Sequence, residues 1–262
     1  MKTQPNGRRP NRIVGLIPAR AESSRFPGKP LADILGKPMI MQVLERVAQS
    51  PLLDDVCVTT DSEAISNAVR QHGGRAVMTA AVHPSGSDRV AEAARHMGLQ
   101  PDDIVVNIQG DQPLLEPEMI AEVVQPLLDD PYIPMSTLIY RIVRDEEITH
   151  PNAVKTTFDR SGFALYFSRA TIPHFSARGL EPAYYKHHGI YGYRNDFLQA
   201  FAQLAPSPLE IAERLEQLRA LENGYRIKVV ITDKDSIEVD TPQDLERVCA
   251  VLAREQLTKP KT

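Results

Sequence analysis

A chain of 262 residues, 42% hydrophobic and 24% charged, has room for one large α/β domain and an ordinary globular composition. Its formal charge of −4 argues against a general nucleic-acid binder, and the more so because Lys2, Arg8, Arg9 and Arg12 fall in its first stretch. No apolar run approaches the ~20 residues that span a bilayer, no signal-peptide pattern opens the chain, and the distant Cys57 and Cys249 form neither a disulfide framework nor a CxxC zinc site. The cytoplasm is the expected compartment.

Residues 1–12 read as a disordered basic leader. The apolar run 13–17 reads as a strand, followed by the loop Pro18-Ala19-Arg20-Ala21-Glu22-Ser23-Ser24-Arg25-Phe26-Pro27-Gly28-Lys29-Pro30. That loop concentrates Arg20, Arg25 and Lys29 on a segment stiffened by prolines, and such a group of cations after a strand suits a triphosphate. Met41, Leu44 and Val47 predict a helix over 38–48. A strand at 56–60 comes next, with Asp61-Ser62 capping the helix that carries Ile65 and Val69. A short strand at 76–79 and a helix at 88–97 follow. Ile104-Val105-Val106-Asn107-Ile108 is nearly continuously apolar, as a strand buried on both faces of a parallel sheet is. The alternation predicts right-handed βαβ units and a doubly wound, mainly parallel α/β sheet.

The pattern changes after about residue 131. Runs at 135–142, 153–158 and 163–167 read as strands, the last two joined by the turn Asp159-Arg160-Ser161-Gly162, and 190–194 reads as another. We expect an inserted, mostly antiparallel sheet subdomain over about 133–195, of a kind that often forms a subunit interface. Parallel order then resumes. Ile211, Leu215, Leu218 and Leu221 predict one helical stripe, 227–231 a strand, and Thr241-Pro242-Gln243-Asp244 a capped helix start. The expected organisation is a single domain over 13–255 with that insertion, then a tail at 256–262.

Ligands of open α/β sheets bind at the carboxyl ends of strands. Three segments with suitable chemistry fall there: the basic loop, Gln109-Gly110-Asp111-Gln112-Pro113, and Ile237-Glu238-Val239-Asp240-Thr241-Pro242. Gly110 permits close backbone approach, and Asp111 and Asp240 are hard oxygen donors. Magnesium is typically held by one or two carboxylates plus substrate phosphates. Taken singly, a strand-end Asp is more often a cap, and a Pro/Gly loop with cations is more often solvated surface. Together the segments favour a nucleotidyltransferase, with Asp111 and Asp240 on the metal and Arg20, Arg25 and Lys29 on the phosphates. The chain has no GxxxxGK[ST], GxGxxG or GxSxG motif, and the adjacent His187-His188 would diverge on a strand instead of sharing a zinc ion.

These segments closely resemble those of the 3-deoxy-manno-octulosonate cytidylyltransferase (CMP-Kdo synthetase) family. So do Tyr166-Phe167-Ser168-Arg169-Ala170, the run 187–193, Glu216-Gln217-Leu218-Arg219 and Val239-Asp240-Thr241-Pro242, in consistent order from about residue 13 to 250. The resemblance implies a nucleotide-diphospho-sugar transferase-like fold, Mg2+ as cofactor and a homodimer through the inserted sheet. It implies that CTP and 3-deoxy-D-manno-octulosonate (Kdo) give CMP-Kdo and pyrophosphate for lipopolysaccharide. The anomeric hydroxyl would attack the α-phosphorus, so no protein nucleophile is needed. The implied catalytic set is Arg20, Lys29, Asp111 and Asp240, the two aspartates holding the metal. CTP would meet Ala19, Arg20, Ser23, Arg25, Lys29, Ser85, Gly86, Gln109 and Asp111. The sugar acid would meet Gln109, Arg169, His187, Tyr191, Glu216 and Gln217, with Arg169 forking onto its carboxylate. Glu216 and Gln217 also fall outside the leucine stripe, so packing does not explain them. Two residues depart from the pattern. Ser87 replaces threonine in the Ser-Gly-Thr-Glu/Asp-Arg turn near the cytosine, where helix capping is an equal reading. His188 replaces a common leucine, which leaves the choice between Kdo and a close analogue open.

Overall fold

The computed structural model describes residues 11–20, 26–83, 85–176 and 183–258. Most of the basic leader, and Ser23 and Arg25 of the opening loop, lie outside the described residues. In chain order the elements are β1 (Ile13–Ala19), a 3-10 turn (Lys29–Leu31), β2 (Asp33–Ile34), β3 (Lys37–Pro38), α1 (Met39–Val47), β4 (Asp55–Thr60), α2 (Glu63–Gln71) and β5 (Ala76–Met78). There follow α3 (Gly86–His96), β6 (Ile104–Asn107), α4 (Glu118–Asp129), β7 (Met135–Arg141), α5 (Asp145–Thr149), β8 (Lys155–Phe158), β9 (Ala164–Ser168) and β10 (Tyr185–Arg194). The chain ends with α6 (Asn195–Phe201), α7 (Pro208–Glu213), α8 (Gln217–Glu222), β11 (Ile227–Thr232) and α9 (Pro242–Thr258).

The main sheet has the order β11-β7-β10-β6-β1-β4-β5. Strands β5, β4, β1 and β6 are mutually parallel. Strand β10 runs antiparallel to both β6 and β7, and β11 is parallel to β7. One inverted strand therefore interrupts an otherwise parallel sheet. The sequence-level expectation of antiparallel pairing over 133–195 corresponds to β10 against its neighbours and to the β8–β9 hairpin. Of these, β7 and β10 are built into the main sheet, and only β8 and β9 lie off its path.

Alternation along the strands distributes the core over two layers, because successive strand residues face opposite sides. Val14 and Leu16 of β1 join α3, α6 and α8 on one face, through residues such as Val90, Phe197 and Leu218. Ile13 and Ile17 join α1, α2 and α4 on the other, through Leu44, Val69 and Val123. Helix α4 sits so close to β10 that a Cβ on Gly192 would lie 2.9 Å from Leu127 Cδ1 and 2.8 Å from Ser136 Oγ. Glycine is required there by packing.

The predicted stripe through Ile211, Leu215, Leu218 and Leu221 is corrected. The segment is two short helices, α7 and α8, broken at Arg214, which adopts the left-handed conformation with φ 54°. Ile211 is consequently 65% exposed, whereas Leu215 and Leu218 are buried. Arg219 ties the two helices through Glu210, its Nε and Nη2 donating to the carboxylate at 2.8 and 2.5 Å. The break turns Glu216 and Gln217 to the start of α8, facing the carboxyl ends of the central strands. Gln217 is thereby buried.

Candidate active site

Three strand-end loops meet at one place. Gly110 lets the β6 loop cross close over the end of β1, where a Cβ would lie only 3.0 Å from the Pro18 carbonyl oxygen. The Val239 amide donates to the Asp111 carbonyl at 2.9 Å, joining that loop to the segment before α9. The start of α9 is fixed by a reciprocal cap: the Asp244 amide donates to Thr241 Oγ1 and the Thr241 amide to Asp244 Oδ2. On this frame Lys29 Nζ lies 2.6 Å from Asp111 Oδ2 and 3.5 Å from Asp240 Oδ1. The two carboxylates reach a single cation, which is the arrangement a divalent ion needs from hard oxygen donors. Among the described residues no group of three or more His, Cys, Asp or Glu could hold a metal ion. The pair fits an ion that takes its remaining ligands from phosphate and water.

Glu238 is a residue that the sequence reading did not assign. Withdrawal of its carboxylate from water at the cavity edge, reinforced by the nearby Asp111 and Asp240 carboxylates, pushes its pKa up to about 7, although the residue as a whole is exposed. Gln112 Nε2 donates to Glu238 Oε1 at 2.9 Å, a second tie between the loops that carry Asp111 and Asp240. Its signal was its place two residues before Asp240 on an extended run, which puts both side chains on one side.

Beside this cluster opens a cavity of about 320 Å³. Its walls contain every residue expected around the sugar acid: Gln109, Arg169, His187, Tyr191, Glu216 and Gln217. Asp111 belongs to both cavity and cluster, and Gly86, Gly189, Arg214, Leu215 and Glu238 complete the lining. Gln109 is aimed by its Nε2, which donates to the Gly189 carbonyl at 2.9 Å. His187 Nε2 is 3.0 Å from Thr137 Oγ1, and its ring sits between those of Phe167 and Tyr191. Burial, with the neighbouring His188 adding to it, brings its pKa down to about 3, so the ring is neutral at pH 7. Glu216 accepts from Ser87 Oγ at 2.6 Å, and burial raises its pKa. Gln217 is 2% exposed and its Nε2 has no protein partner. A buried donor left unpaired costs roughly 1–3 kcal/mol, which an incoming acceptor recovers.

Arg169 is already partly engaged. Its Nε, Nη1 and Nη2 donate to the carbonyls of Glu213, Pro151 and Arg214 at 2.7, 3.0 and 3.4 Å. A guanidinium carries five N–H donors, so the expected fork onto a carboxylate has two unspent donors to work with. In the segment expected to meet the nucleotide, Ala19 is buried at the end of β1 and Arg20 follows it. Arg20 contributes to the lowered pKa of Arg89, after burial. Ser85 caps α3 reciprocally with Asp88. That observed capping and the expected base recognition involve the same turn, since Gly86 reaches the cavity wall.

His188 faces elsewhere. It lines a neighbouring cavity of about 590 Å³ that shares only His187 and Glu238 with the first. The residue is 3% exposed, and its Nε2, 3.9 Å from Asp235 Oδ1, makes no hydrogen bond. Burial lowers its pKa to about 4; Asp235, Glu147 and the Lys234 carbonyl oppose that shift, and Lys186 reinforces it. The unfolded chain binds a proton at His188 below about pH 6.5, the folded protein only below about 4. Stability from this group is present above pH 6.5 and is lost as the pH falls toward 4. His188→Leu removes that dependence. Thermal denaturation between pH 7 and 5 is expected to show a shallower loss of Tm than for the parent protein, and an unchanged slope would contradict the burial argument.

Residues 14–231 match the cytidylyltransferase family. The 3-deoxy-manno-octulosonate cytidylyltransferase of Syntrophus aciditrophicus (strain SB) is 61% identical over 241 residues, 92% of this chain and 97% of that one. The chain belongs to the 3-deoxy-manno-octulosonate cytidylyltransferase family. A second member, from Desulfatibacillum aliphaticivorans, is 53% identical and covers 92% of this chain and 98% of its own. A solved structure of CMP:2-keto-3-deoxy-manno-octonic acid synthetase complexed with CTP superposes with a TM-score of 0.87 at 42% identity. That alignment covers 94% of this chain and all of the other. The cytidylyltransferase from Leptospira borgpetersenii, at 18% identity and TM-score 0.62, shares the fold. Family membership agrees with the two-part site: a cationic strand-end loop with paired aspartates, and a polar cavity alongside.

Proposed function

We propose that the protein transfers CMP from CTP to the anomeric hydroxyl of Kdo, giving CMP-Kdo and pyrophosphate for lipopolysaccharide synthesis. The observation that carries this reading is the cavity lined by Gln109, Arg169, His187, Tyr191, Glu216 and Gln217, opening onto Asp111 of the Lys29–Asp111–Asp240 cluster. In it Arg169 offers its remaining donors to the sugar carboxylate. Neutral His187 and buried Gln217 exchange hydrogen bonds with hydroxyls, and Gln109, aimed by Gly189, spans the two parts of the site.

Arg20 and Lys29 neutralise the phosphates and the charge that develops on the leaving pyrophosphate. Transfer at phosphorus depends mainly on positioning and charge, so the chain supplies geometry in place of a nucleophile. Asp111 and Asp240 would hold magnesium, whose charge lowers the repulsion between an anionic sugar and CTP. Lys29, which bridges these aspartates in the structure, would then be available to the phosphates.

We place the reaction in the cytoplasm, and among the described residues no helix is long and apolar enough to cross a membrane. We also propose a homodimer formed through the 133–195 region. Val143 and Leu165, 68% and 62% exposed, give that region apolar surface. Incubation with CTP, Kdo and magnesium is expected to release pyrophosphate and form CMP-Kdo, with Kdo preferred over amino-Kdo and nonulosonates in a panel of sugar acids. Release no greater than in a no-sugar control, from folded protein, would refute the assignment. CTP binding without turnover of any sugar acid would point to a regulatory nucleotide-binding protein.

A further inference from the structure

We propose that Ser87 is a positioning residue that couples the nucleotide subsite to the sugar-acid subsite, so that filling one tightens binding at the other. The inference rests on the reading above, in which the Ser85-Gly86 turn meets the nucleotide and Glu216 meets the sugar acid.

Ser87 is completely buried in the first turn of α3, next to Gly86 in the cavity wall. Its hydroxyl lies among partners from three other parts of the fold. Asn107 Nδ2, on β6, is 3.2 Å away, and Tyr193 Oη, on β10, is also at 3.2 Å. Glu216 Oε1, at the start of α8, is at 2.6 Å. A hydroxyl has one proton to give and two lone pairs. The Asn107 amide nitrogen can only donate. The shortest contact goes to the one acidic partner, so the Ser87 proton points to Glu216. Tyr193 then donates into the second lone pair. Every valence of this oxygen is used, and the direction of the Glu216 carboxyl follows from where α3 begins.

The next residue extends the link. Asp88, which caps α3 with Ser85, lies 3.9 Å from Arg219 of α8. A ligand that holds the first turn of α3 therefore also holds Glu216. By linkage, a ligand held by Glu216 holds the turn equally. The threonine common in the family at this position keeps the hydroxyl. Alanine would leave Glu216, Asn107 and Tyr193 each short of a partner.

The test is calorimetric. The α,β-methylene analogue of CTP, which cannot transfer CMP, is titrated in magnesium with and without saturating Kdo. The parent protein is expected to bind the analogue about 5- to 100-fold more tightly when Kdo is present, the ordinary range of coupling between sites. Ser87→Thr should keep that ratio within about twofold. Ser87→Ala should lower it at least about threefold, the Asp88–Arg219 approach keeping what remains, while affinity for the analogue alone changes less than about threefold. Ser87→Cys keeps the site filled but is a weak donor, so it serves if alanine impairs folding, and it too should lose most of the ratio. A parent ratio of one, or a parent-like ratio in Ser87→Ala or Ser87→Cys, overturns the coupling and leaves the proposed function standing. Failure of the parent protein to bind the analogue or Kdo overturns both.

Discussion

Asp111→Asn is expected to reduce turnover by on the order of a thousandfold while leaving the fold intact. The exchange keeps the shape of the side chain, and the main-chain link from the Val239 amide to the residue 111 carbonyl is untouched. What changes is charge. Asp111 supplies the closest contact of Lys29, at 2.6 Å, and one of the two carboxylates proposed for magnesium. An amide there presents a dipole where a full negative charge is needed. Pyrophosphate release measured beside Tm and circular dichroism separates loss of chemistry from loss of structure. Near-parental turnover would remove Asp111 from the reacting centre.

Lys29→Met is expected to move two measurements in opposite directions. Turnover should fall by roughly a hundredfold or more, because a cation that neutralises the triphosphate is lost from a partly buried site. Binding of manganese in the absence of nucleotide should instead strengthen. The ammonium at 2.6 Å from Asp111 and 3.5 Å from Asp240 competes for the same oxygens, and methionine does not. A paramagnetic titration of Mn2+ reads this directly. Weaker manganese binding in the variant would mean that the lysine orders the carboxylates instead of competing for them. Lys29 also opposes the upward shift of the Glu238 pKa, so its loss should raise that pKa further and leave Glu238 more protonated at neutral pH.

The parallel half of the fold was legible because its signals are local. Run 104–108 is apolar on both faces, and its core strand carries no exposed residue. Ser62 was visible as a cap, and its hydroxyl accepts from the Ile65 amide at 3.4 Å. Other features depended on tertiary contacts. Strand β10 begins at Tyr185, five residues before the apolar run that announced it. Its first turns of sequence are Lys186, His187 and His188, and Lys186 is buried only because Glu147 and Asp235 meet its ammonium, each at 2.8 Å. Helix α4 carries Pro126 in its interior, a residue that ordinarily ends a helix, and its packing against β7 and β10 overrides that preference. The α7–α8 break rests on one left-handed residue, Arg214, and no glycine or asparagine marks the position.

The candidate site divides along similar lines. Asp111 and Asp240 were identifiable because they stand after a recognisable strand and before a capped helix, and Lys29 because it belongs to the cationic loop that follows β1; the structure brings the three within reach of one another. The residues of the cavity proposed for the sugar acid come from just beyond β6 and β9, from β10 and from the α7–α8 turn. Their convergence is a property of strand order, with β10 inserted between β6 and β7, which no spacing in the sequence expresses. The family resemblance supplied those positions. The Gln112–Glu238 tie became visible only once the two loops were seen side by side.

The central claim is that the paired-aspartate cluster and the adjoining cavity form one reacting centre. A crystal structure with the methylene analogue of CTP, magnesium and Kdo tests it most directly. Kdo is expected in the cavity lined by Gln109, Arg169, His187, Tyr191, Glu216 and Gln217, its anomeric oxygen facing an α-phosphorus held beside Asp111 and Asp240. Kdo seated instead in the neighbouring cavity around His188 and Lys186, or phosphates bound away from the aspartate pair, would contradict it.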